Sequence, residues 1–188
     1  MKALLLWVAI APPFPRTAHT VDRLLPPQET WVCPAKTYAS GIPTRTGTWH
    51  YPPDIILCHR GPVTMDRIER AVGYWKRLGY EFGDIKIAPS DDYGCAIGQV
   101  PWGTIMIDIP SQGFKMGTHL GTTKTWRNND TGRIFKAKIE IMSAWGDSER
   151  ILEHELGHAM GFDDVHHVGH IMNGSWSLGG YGTEGLKK

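Results

Sequence analysis

Residues 147–161 read DSERILEHELGHAMG, and they organise the interpretation of the whole chain. The pattern predicts a helix over about 149–160. Asp147 or Ser148 is the expected N-cap, because a short polar side chain can accept a hydrogen bond from the first free backbone N–H groups. Gly161 is expected to end the helix, since glycine readily adopts the left-handed conformation found at helix stops.

Two histidines of this helix are four residues apart. His154 and His158 are therefore expected on one helical face, where their imidazoles can bind the same zinc ion. Glu155 completes the pattern HExxH and is the expected general base, acting on a water molecule at the open zinc position. So short a pattern also occurs by chance, and the alternative is an exposed helix with two unrelated histidines.

The sequence after the helix extends this pattern. HELGHAMGFDD over residues 154–164, followed by GHIMNG over 169–174, resembles the metzincin family of zinc peptidases, with its motif HExxHxxGxxH/D and methionine turn. The resemblance implies that the chain turns sharply at Gly161 and brings Asp164 to the metal as the third ligand. It also implies that Met172 forms a hydrophobic floor beneath the ligands without binding zinc.

The identity of the third ligand stays open at this point. Most metzincins have histidine where this chain has Asp164, although a carboxylate oxygen is an accepted zinc ligand. Position in the motif favours Asp164, and the alternatives are His166, His167 and His170. His166 and His167 could instead lie in an exposed turn, and His170 could pack beneath the methionine turn.

The earlier sequence predicts the sheet that supports this helix. Four short segments are predicted strands: residues 54–59, 84–88, 103–109 and 134–142. A first helix is expected over about 65–78, with Thr64 as N-cap and Gly79 as its stop. Residues 111–132 are expected to form a long loop. Together with the resemblance, this order predicts an α+β fold: a metzincin-like mixed twisted sheet, two helices and a short irregular C-terminal subdomain.

Two parts are expected along the chain, an N-terminal part over residues 1–53 and a metzincin-like catalytic domain over 54–188. The first part begins with a short apolar run at 4–10 and continues as a proline-rich arm. The run is interpreted as a buried strand, with a signal or pro-like segment as the alternative. No apolar run in the sequence is long enough to span a membrane.

Composition excludes some classes of function. The formal net charge is +1, so the chain lacks a strong basic field, and no nucleic-acid partner is expected. The three cysteines form no CxxC pair, which argues against a cysteine-based zinc site. They permit one disulfide with one free thiol, or three thiols. Secretion is preferred over an intracellular location or membership of a larger assembly.

The expected function is a zinc-dependent endopeptidase that acts on a peptide or protein substrate. The resemblance implies that a sheet-edge strand lines the cleft, and residues 138–142 are assigned to that edge. Ile139, Glu140 and Ile141 would then bind an extended peptide. Asn173 is expected to line the pocket just past the scissile bond. The alternatives are an aminopeptidase or narrow-specificity peptidase on the same scaffold, and a non-catalytic zinc-binding assembly protein.

A structural calcium ion is a further, minor expectation besides the catalytic zinc. Asp91 and Asp92 could contribute to one, and His119 and Asp130 in the long loop could hold another ion. Solvated turn residues are the alternative, because the spacing of these side chains matches no calcium motif.

Overall fold

The structure is a computed structural model that describes residues 41–58, 61–89, 92–109 and 119–188. The strand predicted at 4–10, the arm up to residue 40, and Asp91 lie outside these residues.

The described residues form six strands, three α-helices and one short 3₁₀ turn. The strands are β1 (Thr48–Trp49), β2 (Asp54–Cys58), β3 (Ile85–Ala88), β4 (Thr104–Asp108), β5 (Gly121–Arg127) and β6 (Arg133–Ile141). The helices are α1 (Met65–Arg77), α2 (Tyr93–Ile97) and α3 (Ile151–Ala159), and the 3₁₀ turn covers Ser143–Trp145. None of these helices is long and apolar enough to cross a membrane.

All six strands belong to one mixed sheet that is mostly parallel. β3, β2, β4 and β6 lie side by side in that order, and β1 pairs with the start of β6. β5 runs antiparallel to β6, and within the described residues it pairs with no other strand. The expected mixed sheet is confirmed, but there are three helices instead of two, because the short α2 was not predicted.

The loop predicted over 111–132 is wrong in its second half. Residues 121–127 form β5, and the chain then turns directly into β6. The Asn128 side chain shapes this turn, since its Oδ1 accepts hydrogen bonds from the backbone N–H groups of Asp130 and Thr131, each at 2.9 Å. β5 was missed because its sequence, GTTKTWR, has almost no apolar alternation.

α1 begins and ends as predicted. The Thr64 hydroxyl accepts a hydrogen bond from the backbone N–H of Arg67 at 3.2 Å. Gly79, just past the C-cap residue, has a φ of 95°, which is the left-handed conformation that favours glycine.

α3 starts differently from the prediction, and neither Asp147 nor Ser148 caps it. The N-cap residue is Arg150, which has a φ of 69° and makes no side-chain cap hydrogen bond. Its guanidinium lies 4.1 Å from the centre of the Trp176 ring and donates to the Trp176 carbonyl at 3.1 Å. Contacts with a distant residue therefore hold Arg150 in a backbone conformation that its sequence neighbourhood does not predict.

The two faces of the sheet carry different apolar clusters. Ile105 and Ile107 of β4 belong to the main core, which α1 and α3 share. Met106, between them, belongs to a smaller cluster with Cys58 and Cys95, so this cluster lies on the opposite face. Cys58 and Cys95 form a disulfide that joins β2 to α2. The alternative of three thiols is therefore wrong, and Cys33 lies outside the described residues.

Residues 41–53 are in contact with the end of the helix that carries the HExxH motif. The backbone N–H of Thr46 donates to the Gly161 carbonyl at 2.7 Å. The indole of Trp49 donates to the Ala159 carbonyl at 2.8 Å. These contacts cross the boundary that the sequence placed at residue 53, and they brace the C-terminal end of α3.

Candidate metal centre

Three predicted ligands converge beside the face of α3 on which its two partly buried histidines lie. The Nε2 atoms of His154 and His158 are 3.0 Å apart. Each lies 3.3 Å from Oδ1 of Asp164. In the part of the chain that the structure describes, this is the one group of His, Cys, Asp and Glu side chains close enough to hold a metal ion.

Backbone carbonyls fix the orientation of both imidazoles. Nδ1 of His154 lies 2.8 Å from the carbonyl of Ile171, and Nδ1 of His158 lies 2.7 Å from that of Phe162. A carbonyl oxygen can only accept, so each Nδ1 carries a hydrogen, and each ring in its neutral form presents a lone pair at Nε2. Histidines that bind metals are typically oriented in this way.

The distances and the donor set fit a tetrahedral ion. Zinc bonds of about 2.0–2.1 Å imply a separation of about 3.3 Å between ligand atoms in a tetrahedron. Oδ1 of Asp164 is buried and lies 3.3 Å from each of the two Nε2 atoms. Two lone pairs and an anionic oxygen at this distance repel one another unless a positive charge lies among them. Two imidazole nitrogens and one carboxylate are ordinary zinc ligands.

The electrostatics also favour a cation. Burial lowers the pKa of His158, but its hydrogen bond to Asp164 and the charges of Glu155 and Asp164 outweigh burial and raise that pKa to about 9. Burial opposes ionisation of Asp164, but hydrogen bonds and charge from the two histidines hold the pKa of its carboxyl well below the usual range. A site that retains a proton so strongly also attracts a divalent cation, which competes for the same atoms.

The turn that brings Asp164 to the histidines requires glycine at residue 161. Gly161 has a φ of 96°. A Cβ atom at this position would lie only 2.2 Å from the carbonyl oxygen of Gly47. The sharp exit from the helix predicted at Gly161 is therefore confirmed, and the neighbouring N-terminal segment leaves no space for a side chain there.

The three alternative histidines do not join the cluster. His170 is fully buried, and its Nδ1 accepts the backbone N–H of Met172 while its Nε2 donates to the carbonyl of Glu184, each at 3.0 Å. Burial lowers its pKa, which keeps the ring neutral. His167 stacks on His170, and His166 is exposed.

Met172 lies against the segment of α3 that carries the ligands. It is fully buried, and its sulfur would be 2.2 Å from a Cβ atom placed on Gly157. Gly157, between Glu155 and His158 in the motif, thus allows the methionine to pack directly against the helix backbone. This is where the methionine turn was expected.

Glu155 projects toward β5 and is only 5% exposed. Its Oε2 accepts a hydrogen bond of 2.6 Å from the Thr123 hydroxyl. Gly121 lies against the same carboxylate, since a Cβ atom there would be 2.6 Å from Oε1. The sequence analysis missed Thr123 and Gly121 because it placed both in a loop, and neither belongs to a motif.

The prediction that residues 138–142 form the cleft edge is wrong. They belong largely to β6, which pairs with both β4 and β5 and is therefore an inner strand. Ile139 and Ile141 are fully buried in the core, and Glu140 accepts a hydrogen bond from Lys138 at 2.6 Å. The edge position predicted for this segment is occupied by β5.

Asn173 is buried, and both ends of its amide are engaged. Its Nδ2 donates to the carbonyl of His167 at 2.8 Å, and its Oδ1 accepts from the backbone N–H of Ser175 at 2.9 Å. The side chain therefore shapes the turn after Met172, a role that was not predicted for it.

Of the residues considered for calcium, Asp92, His119 and Asp130 are described, and they form no group of ligands within the described residues. Asp92 caps α2, since its Oδ1 accepts from the backbone N–H of Gly94 at 3.0 Å. Asp130 lies in the exposed turn between β5 and β6, and His119 is exposed just before β5.

A buried ion pair that the sequence did not reveal supports the metal centre from α1. Arg67 donates to both carboxylate oxygens of Glu153, with a distance of 2.9 Å from Nη1 to Oε1. It also donates to the carbonyl of Ser148 at 3.1 Å. Glu153 immediately precedes His154, so this pair fixes the turn of α3 that carries the first ligand.

A cavity of about 520 Å³ lies near the turn that joins β5 to β6. Trp49, Tyr51, Trp102 and Phe135 form much of its wall. None of the three metal-ligand candidates lines it, so it is separate from the metal centre.

Comparison with known proteins adds no assignment: no family model matches the chain, and neither a curated protein nor a solved structure is found to be similar. A functional assignment therefore depends on the residues of the site itself.

Proposed function

We propose that this chain is a zinc-dependent endopeptidase of the metzincin type. The observation that carries the proposal is the convergence of His154 Nε2, His158 Nε2 and Asp164 Oδ1 at 3.0–3.3 Å. Both Nδ1 atoms are already committed to carbonyls. Three protein ligands leave one position of a tetrahedral ion open, which is typical of catalytic and not of structural zinc sites.

The chemistry divides between the ion and Glu155. Zinc at this site would supply Lewis-acid polarisation of the scissile carbonyl and increase the acidity of the attacking water. Glu155 would accept the proton of that water and then deliver it to the leaving amine. The low exposure of Glu155 supports this role, because proton transfer is then shielded from bulk solvent.

The position of β5 supports an extended peptide as substrate. Its outer edge pairs with no strand of the described residues, so a peptide could add there through backbone hydrogen bonds. An edge strand lines the cleft in the metzincins that this sequence resembles. Because Thr123 of β5 contacts Glu155, a peptide added to β5 would run beside the catalytic carboxylate.

Zinc content and cleavage of N-terminally blocked peptides test this proposal on the full chain. We expect one zinc ion per chain in the wild type and in Glu155→Ala. Turnover should fall by a factor of about 10²–10⁴ in Glu155→Ala, because the general base is lost. Asp164→Ala should lose zinc and activity together. His166→Ala, an exposed histidine outside the cluster, is the matched control and should retain both.

The possible outcomes separate the alternatives. Full turnover in Glu155→Ala, or a wild type without stoichiometric zinc, contradicts the proposal. Stoichiometric zinc without cleavage of any peptide favours the non-catalytic zinc-binding protein. Cleavage confined to peptides with a free N-terminus favours an aminopeptidase.

A further inference from the structure

We propose that Thr123 is a positioning residue that holds the Glu155 carboxylate in the orientation needed for proton transfer. The inference rests on the proposed function, in which Glu155 is the general base. It adds a residue from β5 that belongs to neither the HExxH motif nor the ligand set.

The hydroxyl of Thr123 has two acceptors within reach, both on Glu155. Oγ1 lies 2.6 Å from Oε2 and 3.1 Å from the backbone carbonyl oxygen. A hydroxyl donates a single hydrogen, and the charged, closer carboxylate oxygen is the stronger acceptor. The hydrogen bond thus engages Oε2, and Oε1 has no hydrogen bond within the described residues and remains able to accept a proton.

The backbone of β5 confines the same carboxylate from a second side. A Cβ atom on Gly121 would lie 2.6 Å from Oε1 and 2.8 Å from both Cδ and Cγ of Glu155. Gly121 and Thr123 are two residues apart and therefore face the same side of the strand. Glycine provides the space for the carboxylate, and the threonine hydroxyl selects its orientation within that space.

A role in positioning is more specific than a role in packing. A free glutamate side chain samples many rotamers, and ordering it costs conformational entropy. A short hydrogen bond to one carboxylate oxygen fixes the last torsion angle, which packing against a glycine backbone cannot do. Removal of the hydroxyl alone should therefore reduce the rate of the chemical step and leave metal binding intact.

The test compares Thr123→Val, which keeps the β-branched shape, with Thr123→Ser, which keeps the hydroxyl. We expect kcat on a blocked peptide to fall by roughly 10- to 100-fold in Thr123→Val, the size expected for one hydrogen bond to a charged group. KM and zinc stoichiometry should remain close to wild type, and Thr123→Ser should recover most of the loss. Thr48→Val, the same exchange at an exposed position of β1, should behave as wild type.

Crystal structures of zinc-loaded wild type and Thr123→Val provide a readout that does not depend on activity. We expect the Glu155 carboxylate to leave its wild-type position or to occupy several rotamers in the variant. An unchanged carboxylate, or a kcat per bound zinc equal to wild type, would overturn the proposal. If the wild type cleaves no peptide, the proposed function fails separately, and the Glu155 conformer still decides whether Thr123 holds the side chain.

Discussion

α1 and α3 share one hydrophobic core, but the two ends of α1 are determined by its own sequence. Thr64 caps its N-terminus, and Asp66 lies in its first turn. Lys76 and Arg77 lie in its last turn, where positive charge interacts favourably with the helix dipole. Each of these features is local, so each is visible as a sequence pattern.

α3 departs from the same local rules. It begins at Arg150 in a left-handed conformation without a side-chain cap, includes Gly157 in its interior and buries Glu153 and Glu155. Its support comes from elsewhere in the chain, through Arg67 on one side and β5 on the other. A helix that breaks local preferences and depends on its neighbours is typical of functional sites.

The largest loss of stability is expected when the distant support of α3 is removed. Arg67→Met would leave Glu153 buried without a partner, which should lower the free energy of unfolding by about 3–5 kcal/mol. Urea denaturation of the metal-free chain would measure this loss. The double variant Arg67→Met/Glu153→Leu is the control, because an apolar pair of similar volume should restore most of the stability. A single variant as stable as wild type would show that the pair contributes nothing.

Replacing a glycine by alanine should change the stability of the fold in opposite directions in the two helices. A Cβ on Gly157 would lie 2.2 Å from the Met172 sulfur, so Gly157→Ala should destabilise the fold by about 1–3 kcal/mol. A Cβ on Gly73 of α1 would meet only the end of Arg77, at 3.7 Å, so Gly73→Ala should stabilise by up to about 1 kcal/mol. Thermal melts of both variants test this contrast, and equal shifts in Tm would contradict it.

The smallest expected change in stability concerns the N-termini of the two helices. Thr64→Ala should cost about 1 kcal/mol, because the cap hydrogen bond to Arg67 is lost. Ser148→Ala should change stability by no more than about 0.5 kcal/mol, since Ser148 does not cap α3. Urea denaturation of the two variants side by side is the measurement. A larger loss in Ser148→Ala than in Thr64→Ala would mean that the capping assignment is incorrect.

The features that sequence predicted well are those determined by near neighbours. The ends of α1, the common face of His154 and His158, and the turn at Gly161 all depend on residues within one or two helical turns. His154 and His158 could therefore be proposed from their spacing and Asp164 from the resemblance to the metzincin motif, and the structure brings these three side chains together.

The features that sequence did not predict depend on contacts between distant segments. Arg67 and Glu153 are 86 residues apart, and each resembles an ordinary solvent-facing charge of its helix. β5 has few apolar residues, and within the described part of the chain only one of its edges is paired with a strand. Assigning the cleft edge to β6 failed for the same reason: strand order within a sheet is not a local property.

The Cys58–Cys95 disulfide lies on the sheet face opposite α3, and the candidate metal ligands contain no sulfur. A thiol reductant does not alter imidazole or carboxylate groups. A metal chelator, in turn, does not react with a disulfide. The state of this disulfide and the occupancy of the candidate metal site can therefore be varied separately. A preparation can be reduced while loaded with metal or stripped of metal while oxidised, so the contribution of each to folding and to the proposed activity can be measured on its own.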